Sequence, residues 1–158
     1  MSLEGTLRRM NIALPEATKP VASYVPVRRA GNLLFVSGQL PLLNGQMLAT
    51  GKVPSAVSID QATAAARQCV LNALAAAKAE LGGLSRLQAV VRIGVFVQSD
   101  DTFAEQHKVA NGASDLLVEL FGHAGRHARA AVGVNALPLN AAVEVEFIFA
   151  VVDPPDQT

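Results

Sequence analysis

Residues 129–146 read Arg129-Ala-Ala-Val-Gly-Val-Asn-Ala-Leu-Pro-Leu-Asn-Ala-Ala-Val-Glu144-Val-Glu146. The pattern is that of two strands joined by a Pro/Asn turn, a hairpin turning near Pro138–Leu139. Side chains alternate along a strand, so Arg129, Ala131, Gly133 and Asn135 share one face of the first. A guanidinium beside two of the smallest residues has a hollow in front of it. Arginine also grips a carboxylate through two parallel hydrogen bonds. Together these point to a small carboxylate ligand. In the second strand Glu144 and Glu146 alternate with Val143, Val145 and Phe147. In such a hairpin Arg129 lies opposite residue 148, four rungs from Glu144, or roughly 13 Å at about 3.3 Å per residue. One small ligand does not reach across that gap, so a shared site requires the glutamate of a neighbouring subunit. The competing readings are a structural arginine bonded to a loop carbonyl or an acid, and two glutamates that face solvent.

Outward from this stretch, 158 residues suffice for one domain with a substantial core. Half the residues are apolar and only 16% are charged, which excludes a disordered chain and suggests surface covered by partner subunits. The formal net charge is zero and no basic patch is interleaved with aromatics, which counts against a nucleic-acid partner. Cys69 is the only cysteine, so no intrachain disulfide forms. No run approaches the roughly 20 apolar residues of a membrane span, and no signal-peptide core follows Arg8 and Arg9. A cytoplasmic protein with no membrane partner is expected.

Residues 2–10 suit a short helix with Leu3, Leu7 and Met10 on one side. A first hairpin turns at Ala30–Asn32 into Leu33–Gln39, and Asn44-Gly45 marks a second turn. Ser58 and Gln61 form a capping box ahead of an Ala-rich helix that runs to about Leu81 and stops at Gly82-Gly83. Residues 89–97 are apolar nearly throughout, as in a strand buried on both faces. Asp100-Asp101-Thr102 is expected to start a second helix ending near Phe121, with Leu116, Leu117, Leu120 and Phe121 as its stripe. The order is β-β-(β)-α-β-α-β-β: one α+β domain, a mixed sheet with both main helices on one face. Residues 1–20 read as an N-terminal extension, 21–152 as the domain and 153–158 as a tail.

Gly45 to Lys52 only superficially resembles a phosphate loop, because Val53 replaces the hydroxyl residue and Pro54 follows. His123 and His127 lie in a glycine-bounded loop with no carboxylate or cysteine nearby, so no metal site is expected. His107 reads as a surface residue on the second helix. Cys69 reads as a small buried residue among alanines. Ser37 is outside any hydrolase elbow, yet a hydroxyl at a strand end can bind a ligand.

With these residues in place, the chain resembles the YjgF/RidA family, also called endoribonuclease L-PSP. The likeness runs from about Pro20 to Val152. It rests on Ala128-Arg129-x-x-Val132, Leu137-Pro138 and Val143-Glu144-Val145-Glu146, on Ser37-Gly38-Gln39-Leu40-Pro41 with Tyr24 and Gly31-Asn32 upstream, and on Val109-Ala110-Asn111. The resemblance implies a chorismate-mutase-like fold and a homotrimer with sites in clefts between subunits. It also implies hydrolysis of enamine and imine intermediates to 2-keto acids and ammonia, with no metal and no organic cofactor. By it, Arg129 holds the substrate carboxylate, Glu144 positions the attacking water, and Tyr24, Ser37, Asn111 and Ala131 line the cleft. Ala131 stands where deaminating members often have cysteine, and His127 where proline is common, which marks a divergent branch. Two further readings stay open: a trimeric carboxylate-binding or regulatory protein without turnover, and the ribonuclease of the family's older name.

Overall fold

The structure, a computed structural model, describes residues 1–20 and 22–154; the end of the expected tail, 155–158, lies outside them. A short helix α1 (Leu3–Arg9) is capped by Ser2, whose hydroxyl accepts from the Gly5 amide. It buries Leu7 in the core and rests on the helix named α3 below. The hairpin of β1 (Val27–Ala30) and β2 (Leu33–Gln39) turns at Gly31, whose φ of 59° suits glycine. A second hairpin, β3 (Leu42–Leu43) and β4 (Gln46–Met47), turns at Asn44 and Gly45, both left-handed.

Helix α2 (Ile59–Leu81) begins at the expected capping box and ends at Gly82, again left-handed at φ 73°. Its alanines let it lie flat on the sheet, burying Ala62, Ala65, Ala66, Ala73 and Ala77. Strand β5 (Leu87–Gln98) follows, then α3 (Gln106–Phe121) and a 3-10 turn over Gly122–Gly125. Strands β6 (Ala128–Val134) and β7 (Val143–Val151) close the chain, with a second 3-10 turn at Pro138–Asn140. Gly112 is where α2 and α3 touch: a Cβ there would run into the backbone carbonyl of Thr63.

The expected start of α3 is corrected. A turn closes at Asp100–Phe103 and α3 starts only at Gln106, because the Asp100 carboxylate is taken by the amide and hydroxyl of Ser55 at 2.8 and 2.9 Å and cannot cap a helix. The apolar stripe is as expected, with Leu116, Leu117 and Leu120 buried and Phe121 stacked on Phe149 at 6.1 Å.

The sheet order is β1-β2-β7-β5-β6. This overturns the C-terminal hairpin. Strands β6 and β7 are not paired; β5 lies between them, parallel to β6 and antiparallel to β7. The connection across the end of β5 is the turn at Pro138–Asn140, anchored by the buried Gln98 amide, which donates to the Asn140 and Ala141 carbonyls. Arg129 is therefore level with Ile93 and, beyond it, Phe147, while Glu144 is level with Phe96.

Both long helices cover one face of the sheet, as expected. The other face is open in the single chain, so β5 is not buried on both sides. Its Val91 is 40% exposed, and Phe35 on β2 and Val132 on β6 are 40% and 46% exposed on either side. This face is apolar enough to ask for a cover.

Candidate functional site

Arg129 sits on the edge strand β6, in register with the buried Ile93, so its side chain emerges toward the helices. There it meets one face of α3. Residues 107, 111 and 114 recur at helical spacing, and all three present an acceptor. Nη1 donates to Asn111 Oδ1 at 2.9 Å and to Ser114 Oγ at 3.0 Å, and Nη2 donates to the His107 carbonyl at 3.4 Å. A guanidinium has five N–H donors. Three are spent on α3; among the described residues, the Nε–H and one Nη2–H have no acceptor. The arginine is exposed, so these two donors stay uncommitted on a side chain held by α3.

Ser114 is in turn bound to His127, with Nε2 at 2.9 Å, and His127 Nδ1 lies 2.6 Å from the Gly125 carbonyl. Neither Ser114 nor the place of His127 was legible from the chain; the only signal was the 107/111/114 spacing. His107 itself is exposed and contributes its carbonyl. His123 is exposed in the 3-10 turn. Asn111 points at Arg129 within its own chain. Ala131 is half-buried and packs on the core. The hollow expected beside the guanidinium is smaller than its residues suggest. A Cβ on Gly133 would meet Gln106 Nε2 at 2.7 Å and Ser99 Oγ at 3.0 Å, so that part is filled.

The second group of residues lies elsewhere. Glu144 is half-buried on the face of β7 opposite to Val143 and Val145, both of which point into the helix-covered core. Its carboxylate lies over Gly38, where an added Cβ would collide with Oε1 and stand 2.8 Å from Cδ. Burial pushes its carboxyl up from the ordinary glutamate range, and repulsion from Glu146 adds to that. Ser37 precedes Gly38. Its amide and hydroxyl donate to the Pro26 and Val25 carbonyls at 2.9 and 2.7 Å, which pins the segment carrying Tyr24. Tyr24 is 53% exposed. With Ser37 it borders an open groove of about 670 Å³ that also includes Phe35, Arg92 and Glu146. Arg92 approaches Glu146 at 3.5 Å.

The six candidate residues thus form two clusters. Arg129, Asn111 and Ala131 belong to the α3 side; Glu144, Ser37 and Tyr24 belong to the β2/β7 side. Three rungs and two strand spacings separate Arg129 from Glu144, about 10 Å along the strands and about 10 Å across them, on opposite faces. Cys69 belongs to neither: it is fully buried, and desolvation pushes its thiol up, away from a reactive thiolate. Among the described residues no three His, Cys, Asp or Glu side chains converge on a point, and no helix is long and apolar enough to cross a membrane.

Residues 4–152 match a family model described as YjgF/chorismate_mutase-like, with a suggested endoribonuclease activity, and the chain belongs to that family. Protein TCP17 of Trypanosoma cruzi is 46% identical over 143 residues, covering 90% of this chain and 89% of its own. The solved structure of Atu1372 from Agrobacterium tumefaciens superposes with a TM-score of 0.86 at 45% identity, covering 94% of this chain and 91% of its own. A more distant relative, 27% identical over 89% of this chain and 94% of its own, is the 2-iminobutanoate/2-iminopropanoate deaminase of Dermatophagoides farinae. The chorismate-mutase-like mixed α+β fold is thereby established for this chain.

Proposed function

We propose that this family member hydrolyses 2-imino acids to 2-keto acids and ammonia, in sites built between subunits of a homotrimer. The observation that carries the reading is the guanidinium of Arg129, fixed by α3 on one side and offering two neighbouring donors on the other. That is the arrangement a substrate carboxylate fits. Glu144 takes a proton from water, whose oxygen then bonds to the imine carbon while the C=N π pair moves to nitrogen. Glu144 returns that proton to the nitrogen to give the carbinolamine, then passes the hydroxyl proton to the amine; the C–N bond breaks, ammonia leaves and the oxygen pair closes the keto C=O. A carboxylate whose affinity for protons is raised by burial is a stronger base than an exposed glutamate. The chemistry asks for little else: the imine carbon is already electrophilic, and orientation with charge placement supplies the rest. Tyr24, Ser37, Asn111 and Ala131 shape the cleft, Asn111 through its bond to Arg129.

The opposed positions of Arg129 and Glu144 support a site shared between chains. So does the open apolar sheet face, which suits a second copy better than water. In this reading residues 21–152 carry the site, and residues 1–20 form an arm docked through Leu7. Cytoplasmic residence is part of the same proposal, with cell fractionation as its check.

The test is ammonia release from freshly generated 2-iminopropanoate. Acceleration over buffer that disappears in Arg129→Ala is the expected result. The absence of acceleration by the wild-type chain would instead favour a carboxylate-binding protein without turnover.

A further inference from the structure

Arg129 does not stand alone on α3. The Gly125 carbonyl can only accept, so His127 Nδ1, 2.6 Å away, carries a hydrogen and donates it. In neutral imidazole the other nitrogen is then an acceptor. His127 Nε2 thus accepts a hydrogen bond from the Ser114 hydroxyl at 2.9 Å, and this turns the lone pairs of Ser114 outward. One of them receives Arg129 Nη1 at 3.0 Å. The order of donation runs from Arg129 to Ser114 to His127 to the Gly125 carbonyl, with Asn111 as the second Nη1 acceptor.

The sequence builds this relay locally. Gly125 is buried against the last turn of α3, and a Cβ on it would collide with the Leu117 carbonyl. Only glycine lets the 3-10 turn settle there, and the turn sets the height of His127 over Ser114. Two residues later, just inside β6, comes Arg129 itself.

We infer that Ser114 and His127 are positioning residues of the carboxylate clamp: the Gly125–His127–Ser114 relay dictates which guanidinium hydrogens of Arg129 are committed and which are left for a ligand. Without it, the Ser114 hydroxyl is free to rotate and to donate toward bulk water, and Nη1 loses one of its two fixed acceptors. The guanidinium then turns about its stem, and the free edge no longer has one direction. This rests on the reading of Arg129 as the clamp, but the relay itself has a readout that does not depend on any substrate.

Nitrogen-15 NMR of the full-length protein provides it. The wild type should show His127 as the Nδ1–H tautomer, and the Arg129 Nη signals should be distinct and slow to exchange. In Ser114→Ala and in His127→Leu those Nη signals should broaden or merge. Pyruvate, the keto acid that hydrolysis of 2-iminopropanoate gives, is the ligand probe. Its affinity should fall about tenfold in each variant, the scale of losing one hydrogen bond to a charged group. Ser114→Thr, which keeps the hydroxyl, and His127→Gln, which keeps a donor and an acceptor, should recover most of the loss. An Nε2–H tautomer in the wild type, or Arg129 signals unchanged in both disruptive variants, overturns the relay. A relay seen by NMR in a wild type that binds no pyruvate would leave the relay standing and remove the clamp reading beneath it.

Discussion

The two ends of the candidate site are built in opposite ways. Around Arg129 nearly everything is settled inside one chain: three acceptors on α3, a serine and a histidine behind them, and a glycine turn that sets their height. Around Glu144 little is settled. Among the described residues nothing donates to its carboxylate; it lies over Gly38, half-buried, on a sheet face with no cover. A fixed cation orients a ligand at the moment it binds, because no ordering remains to be done. A carboxylate without donors keeps its basicity, because hydrogen bonds to the charged form would lower its proton affinity. The same fold thus holds a guanidinium rigidly on the edge strand β6 and leaves a carboxylate without donors on the central strand β7.

The strongest way to break this contrast is Glu144→Gln. With 2-iminopropanoate as substrate, kcat is expected to fall about 10²- to 10⁴-fold, the usual worth of a positioned base, with KM little changed. Stability should not fall. The folded state raises the proton affinity of this carboxyl, so at neutral pH ionised Glu144 costs stability that an uncharged amide does not. A variant that is both slow and less stable by thermal unfolding would show Glu144 to be a structural residue.

Whether the two ends meet between chains is decided by mixing. Arg129→Ala and Glu144→Gln chains, refolded together in equal amounts, should regain activity in about a quarter of sites, as random assembly across a heterologous interface gives. Each variant refolded alone should stay inactive. No recovery in the mixture, with assembly confirmed by mass, would show that the two residues do not meet across an interface between chains.

Gly38→Ala is a smaller perturbation. The new Cβ displaces only the flexible end of Glu144, so the protein should fold while kcat drops by roughly tenfold, about 1.4 kcal/mol of misplaced base. Gly94→Ala, which disturbs Glu146 in the same manner, serves as the comparison and should leave kcat nearly unchanged.

The finest distinction lies in pH. Glu144 works when ionised, so activity is present above its pKa and is lost as pH falls through it. Because that pKa is raised, the acid limb of kcat/KM should lie above the ordinary glutamate value of about 4.3. Glu146→Gln removes the like charge and should move the limb toward lower pH, by less than the shift that burial causes. A limb that stays in place in that variant would leave burial as the sole cause.

Much of the fold was legible in the chain because its signals are local. Ser58 and Gln61 are three residues apart, Gly82 ends the helix it follows, and Asn44-Gly45 makes its turn with no help from elsewhere. Such features are fixed by backbone sterics and short hydrogen bonds. The start of α3 was misread for a related reason: Asp100 looks like a cap until a serine 45 positions away in the chain claims it. The C-terminal pair was misread because two alternating strands joined by a short turn carry the same pattern whether they pair with each other or admit a third strand between them. Local sequence does not record which neighbour a strand chooses.

The sequence by itself therefore determined the elements, the core-facing periodicity and the identity of the arginine and glutamate as chemically capable side chains. Only the tertiary structure decided that β5 separates them, that they leave the sheet on opposite faces, and that Ser114 and His127 stand behind the arginine. The physical reason is range. Helix caps, turns and alternation are set within a few residues, whereas the partners of Arg129 are 15 to 22 residues distant and are brought to it by the packing of α3 on the sheet.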